Sequence, residues 1–287
     1  MTRALLCGLL ALVAGAARAD DAKPAAPEAA AYVGQELCRG CHDEQAAPLE
    51  RTPHAVLADP ARPEAQRGCE ACHGPGSLHA ESGDQAKIRT FDRALPARER
   101  TEPCLACHAG APALHDFRDG EHALAKIACT DCHSVHAGHG ARLLRKADAW
   151  GLCTSCHLEV RAKFMLTERH ATGDRPLPCL ECHDPHGSRN RRALRHPNDR
   201  ACMRCHAEYE GPYVFEHEGV LVEGCARCHD PHGSVNRHLL VRQQVAQLCY
   251  ECHTVTPPTH VQPSFRDCTR CHVAIHGSNT DPRFFQP

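Results

Sequence analysis

The sequence predicts a mainly α protein with extensive irregular chain and almost no sheet, elongated and built from five copies of one unit. Three observations carry this. A Cys-x-x-Cys-His motif occurs ten times in 287 residues, spaced so that pairs of motifs recur along the chain. Phe, Trp and Tyr make up 4% of the chain and Trp150 is the single tryptophan, so side chains alone cannot fill a conventional interior. Finally, 21 prolines and 20 glycines punctuate the segments between motifs and keep regular elements short.

In chain order, Arg3 precedes an apolar stretch over residues 4–17 that ends in Ala17-Arg18-Ala19. That is the pattern of a secretory signal peptide over residues 1–19, too short to span a bilayer. Cys7 lies inside the apolar stretch rather than after it, which argues against a lipid anchor. A lead follows over residues 20–37, and residues 38–287 carry the repeat. Its units start at Cys38, Cys104, Cys153, Cys202 and Cys249, at intervals of 66, 49, 49 and 47 residues. Arms such as Arg161 to Arg169 have helical composition. The formal charge of −2 comes without long acidic or basic blocks, so no nucleic-acid partner is indicated.

The attachment cysteines are Cys38 and Cys41, Cys69 and Cys72, Cys104 and Cys107, Cys129 and Cys132, and Cys153 and Cys156. The second half supplies Cys179 and Cys182, Cys202 and Cys205, Cys225 and Cys228, Cys249 and Cys252, and Cys268 and Cys271. Two thiols at this spacing can add to the vinyl groups of one porphyrin, and the adjoining histidine then falls beneath the ring to bind iron. Those histidines are His42, His73, His108, His133, His157, His183, His206, His229, His253 and His272. The reading is ten covalent haem c groups. Exported proteins with many cysteines ordinarily carry disulfides, and paired thiols also make structural zinc sites. Neither alternative explains ten flanking histidines.

Superposing the five units picks out further histidines at recurring positions. After the first motif an arm of 6 to 13 residues leads to His54, His122, His170, His217 or His260. After the second motif come His79, His136, His186, His232 or His276. These ten match the number needed to close ten irons with a second imidazole. A histidine three residues past its motif histidine lies on the same side of its own haem, so it should serve a neighbouring haem. His115, His139, His196 and His238 do not recur, which suits surface or propionate-facing roles. The Arg189 to Arg192 and Arg142 to Lys146 clusters suit propionates or solvent. With the haem stack in place of a core, the apo chain should not fold.

At this point the chain resembles the decahaem periplasmic cytochromes of the MtrA/DmsE type. The resemblance rests on the ten motifs, Thr52-Pro53-His54-Ala55, Gly68 to Gly76, Gly211 to His217, the two Asp-Pro-His-Gly-Ser loops and His276-Gly-Ser-Asn279. It implies an elongated haem wire with bis-histidine ligation, periplasmic or associated with the outer membrane. It also implies a porin-like β-barrel partner, other redox proteins as donors and acceptors, and a chain that does not itself span the membrane. A multihaem reductase would need an open or Lys-ligated iron; no Cys-x-x-Cys-Lys variant is present, so electron transfer rather than enzyme catalysis is expected. Phe284 and Phe285 near the end of the chain either rest on the barrel or fray.

Overall fold

The structure is a computed structural model, described over residues 29–173, 175–254, 260 and 267–286. The signal sequence lies outside the described residues, as does part of the last arm.

Among the described residues two helices exceed two turns, Gln35–Leu49 and Ala97–His108. The first is kinked at His42 (φ −121°, ψ 40°) and ends at Leu49, one residue past Pro48. Elsewhere the chain turns in pieces of three to six residues. Several of these are the attachment motifs themselves, such as Cys129–Cys132 and Cys179–Cys182, where one turn of helix sets the two thiols side by side. Among the described residues the sheet amounts to Ala171–Thr172 paired with Arg175–Pro176. The arm expected to be helical over 161–169 is helical only as far as Lys163, in Leu158–Lys163. Beyond it the backbone is claimed by a neighbouring unit, because Glu168 exchanges two hydrogen bonds with Ser234, N–H to O at 3.0 and 2.8 Å.

A second device recurs after the second motif of a unit. The chain loops out and returns to the motif: Arg145, Arg195 and Val241 donate their N–H groups to the carbonyls of Cys132, Cys182 and Cys228 at 2.8 to 2.9 Å. The return passes through left-handed backbone at residues other than glycine, at Leu143 (φ 53°), Arg192 (59°) and Ala193 (49°), His238 (57°) and Leu239 (58°). Such conformations are costly and persist only where the surroundings enforce them.

Consecutive units are stitched by the His-Gly-Ser triplets. Gly187 sits on the Asp116 carbonyl, Gly233 on the Lys163 carbonyl and Gly277 on the Tyr213 ring, where a Cβ would lie 2.4, 2.1 and 2.1 Å from its neighbour. No other residue fits at that approach. Ser278, wholly buried, continues the stitch by exchanging backbone hydrogen bonds with Phe215 at 2.8 and 2.9 Å. The lead is fixed differently. The buried Glu70 carboxylate accepts from the backbone N–H groups of Val33, Gly34 and Gly76 at 2.8 to 3.2 Å.

Among the described residues the buried apolar side chains are Ala46, Leu105, Phe117, Ala128, Leu143, Phe164, Ala246 and Ala274. Half are alanines, and they are scattered rather than gathered in one core. Side-chain burial of this size cannot offset the ordering of so long a chain. No helix of the described residues is long and apolar enough to cross a membrane.

Candidate functional site

Every motif histidine faces one of the recurring histidines. The ring centres lie 6.2 Å apart for His42 and His79, 6.3 Å for His73 and His136, 6.0 Å for His108 and His54, and 6.0 Å for His133 and His186. They lie 6.1 Å apart for His157 and His122, 6.1 Å for His183 and His232, and 6.2 Å for His206 and His170. The last three pairs are His229 with His276 at 6.2 Å, His253 with His217 at 6.3 Å and His272 with His260 at 6.4 Å. These separations are too long for direct ring contact. They fit one iron between two imidazoles: a metal–nitrogen bond of about 2.0 to 2.1 Å, plus about 1.1 Å from nitrogen to ring centre, doubled, gives about 6.2 Å.

The pairing follows a rule that spacing along the chain could not reveal. The arm histidine of one unit faces the first motif of the next, as His54, His122, His170 and His217 do. The histidine after a second motif faces the second motif of the preceding unit, as His136, His186, His232 and His276 do. In the units starting at Cys38 and Cys249, His79 and His260 instead face motifs of their own units.

The thiols give the order. Within each unit the first cysteines of the two motifs lie close enough to perturb one another, Cys38 with Cys69, Cys104 with Cys129, Cys153 with Cys179, Cys202 with Cys225 and Cys249 with Cys268. Burial, with the neighbouring thiol of Cys69, pushes the Cys38 thiol up to about 11. Between units, Cys72 lies near Cys107, Cys132 near Cys156, Cys182 near Cys202 and Cys228 near Cys252. The ten attachment points therefore form one unbranched series in sequence order. Asp199, Cys202 and Cys225 also gather within reach of a metal ion, but both thiols belong to attachment motifs.

Eight of the twenty rings are oriented by a hydrogen bond through Nδ1, the usual outer-shell device of metal-binding histidines. The second-motif rings donate to backbone carbonyls: His73 to Arg89, His133 to Arg142, His183 to Arg192, His229 to His238 and His272 to Arg283, at 2.5 to 2.9 Å. The left-handed turns after the second motifs thereby acquire a purpose, since they aim these carbonyls. His238 has no recurring counterpart in the sequence, yet its backbone carries one of them. Among the facing rings, His122 donates to Pro185, His136 to Gln45 and His79 to Asp84, at 2.9 to 3.0 Å. With Nδ1 occupied, Nε2 is the nitrogen that could hold a metal. Burial lowers the proton affinity of His73, His186, His232 and His276, which keeps these rings neutral and ready to bind metal.

The remaining expected residues are dispersed. His115 is exposed beside Asp116, and His139 pairs through its backbone with Leu144. Arg189 bridges to Asp116 at 3.2 Å. Phe284 and Phe285 are neither frayed nor free. Phe284 stands edge-on to His217 with centres 5.6 Å apart, and Phe285 packs on His272 at 4.7 Å beneath the Arg283 guanidinium.

Paired thiols with adjoining imidazoles, repeated in series, define a multihaem c-type cytochrome, an electron-transfer protein. Family models agree: the doubled CXXCH motif matches residues 170–211 and 217–257, and the NrfB-like cytochrome c-type protein matches residues 69–156. The chain is 34% identical to the multiheme cytochrome MtrA of Shewanella baltica over 86% of its own length and 79% of that protein's. It belongs to the MtrA family of multihaem cytochromes. It is also 26% identical to the cytochrome c-type protein NrfB of Escherichia coli over 32% of this chain and 50% of that one. An undecaheme cytochrome from the S-layer of Carboxydothermus ferrireducens aligns at 20% identity and a TM-score of 0.14, over 76% of this chain and 32% of that one.

Proposed function

We propose that the ten ring pairs are the axial ligands of ten covalently attached haems, two in each of five units starting at residues 38, 104, 153, 202 and 249. In this reading the protein is the periplasmic core of an outer-membrane electron conduit. One observation carries the reading: each motif imidazole faces one other imidazole at the span of an iron, along an unbroken series of attachment points. Once bound, each haem supplies reversible one-electron iron chemistry. The chain's own residues do the rest. Cysteines fix each porphyrin edge, backbone carbonyls hold the imidazoles in one orientation, and exchange of histidines between units keeps neighbouring haems close. Two neutral imidazoles and no methionine ligand give a low-potential set.

Membrane crossing has to come from another protein, because irregular backbone with unpaired polar groups cannot face lipid. A porin-like β-barrel around the wire, with redox proteins at its two ends, meets that need. The likeness to MtrA supports it.

Intact-mass analysis of matured protein tests the haem count, with an expected gain of about ten haem masses. Liposomes enclosing a redox dye test the conduit. Dye reduction by an external donor should require cytochrome and barrel together; unchanged transmembrane flow and no co-purification with a barrel would instead make this a free periplasmic shuttle.

A further inference from the structure

Two charged side chains are buried among the described residues, Glu70 and Arg100. Arg100 has a counter-charge, since it donates to the Asp131 carboxylate at 2.9 Å. Glu70 has none: among the described residues its carboxylate is met only by the backbone N–H groups of Val33, Gly34 and Gly76, at 2.8 to 3.2 Å. These fix its place without cancelling its charge. Glu70 also stands inside the attachment chemistry, between Cys69 and Cys72. Other charged residues between motif cysteines are exposed, as Glu181, Arg204 and Arg270 are, or ion-paired, as Arg39 is to Glu50 and Arg227 to Glu251. Gly34 connects the carboxylate to the first motif. Its N–H donates to Glu70 at 2.8 Å, and its carbonyl accepts from Cys38 Sγ at 3.5 Å. Burial foremost, with Glu70 among the nearby charges, pushes the thiols of both Cys38 and Cys69 up.

A charge removed from water acts on its surroundings with little screening, and a negative one favours ferric over ferrous iron. We propose that Glu70 holds the two haems of the first unit at the low-potential end of the wire. One electron then passes from ferrous iron in the first unit to ferric iron in the second, with no bond made or broken and no proton moved. The return is uphill, so the first unit hands electrons on rather than storing them. The lead acquires a role beyond its own anchoring, because its N–H groups keep the carboxylate beside both attachment points.

This inference rests on the haem assignment made above, and the test separates the two. Full-length holoprotein is titrated potentiometrically and followed at the Soret band, with ferric electron paramagnetic resonance as a check on the ligands. In Glu70→Gln, which keeps an acceptor for the lead but no charge, the last haems to be reduced, about two of ten, should move to more positive potential. The rest of the curve should stay where it is. Glu70→Asp keeps the charge and should titrate as wild type does. Glu181→Gln, which removes an exposed carboxylate from the sixth motif, should do the same. A Glu70→Gln curve that superposes on wild type, a shift spread over all the haems, or an equal shift in Glu70→Asp overturns the inference. High-spin ferric haem in Glu70→Gln overturns it too, because lost ligation rather than lost charge then moves the potential. High-spin haem in ferric wild type is a different failure, that of the axial assignment. A variant outside the motif guards against poor maturation. The Val33 side chain lies over Gly76 beside the carboxylate, so Val33→Lys supplies the missing counter-charge and leaves the backbone bonds in place. It should move the same haems in the same direction as Glu70→Gln, and an unchanged curve counts against the proposal.

Discussion

The interior of the wire and its two ends solve the same coordination problem in opposite ways. Inside, ring partners are exchanged, so that every ring pair is assembled from two consecutive units, as His183 with His232 or His206 with His170. At the ends, His79 turns back to His42 and His260 to His272 within one unit. The difference teaches that the pairing rule repeats by translation and that the ends close by folding back. Number of units is then a free variable, whereas continuity between units is not.

The comparison can be broken most severely by truncation. Ending the chain at Leu248 removes two attachment motifs and also takes His276 from His229, so one retained haem should turn high-spin in the electron paramagnetic resonance spectrum. Excising residues 153–201 should instead leave eight low-spin haems, with His122 meeting His206 and His232 meeting His133. High-spin haem in the excised protein would refute the translational rule. Single ligands sharpen the contrast. His232→Ala and His79→Ala should each open one iron, but the first also unties two units and should lower the urea midpoint more. His238→Ala should change neither spectrum nor midpoint appreciably, since its role is carried by its carbonyl.

Smaller effects concern the stitch itself. Gly233→Ala places a Cβ 2.1 Å from the Lys163 carbonyl at φ 158°, and should destabilise by about 1 to 3 kcal/mol, read by urea titration of holoprotein. Ser278→Ala removes a hydroxyl that donates to Gln286 and accepts from Thr280 and Asp281, for a loss of about 1 kcal/mol by the same measurement.

Much of this was legible in the sequence, for physical reasons. Attachment chemistry demands fixed residues at fixed local spacing, so Cys-x-x-Cys-His declares itself wherever it occurs. The repeat then separates His232 from His238 by position alone. Which ring faces which is a relation between units some fifty residues apart, and nothing local encodes it. His238 shows a second limit: side-chain identity is silent about a contribution made by a backbone carbonyl on a left-handed turn. The arm after Lys163 shows a third, since Leu-Thr-Glu-Arg is locally helical in composition but is held extended by Ser234. Phe284 and Phe285, read as either resting on a barrel or fraying, pack on His217 and His272.

Exchange of rings between units also sets a timetable for biogenesis. As the polypeptide emerges amino end first, the partner for each interior first motif has already been made: His54 precedes His108, and His170 precedes His206. Each interior second motif must wait, His73 for His136 and His183 for His232. A partly exported chain therefore always carries about one haem whose second imidazole is still to come. That waiting iron is where a stalled cytochrome is open to oxidants and stray ligands; the last such wait, that of His229, closes with His276, since His260 is already in place when His272 emerges.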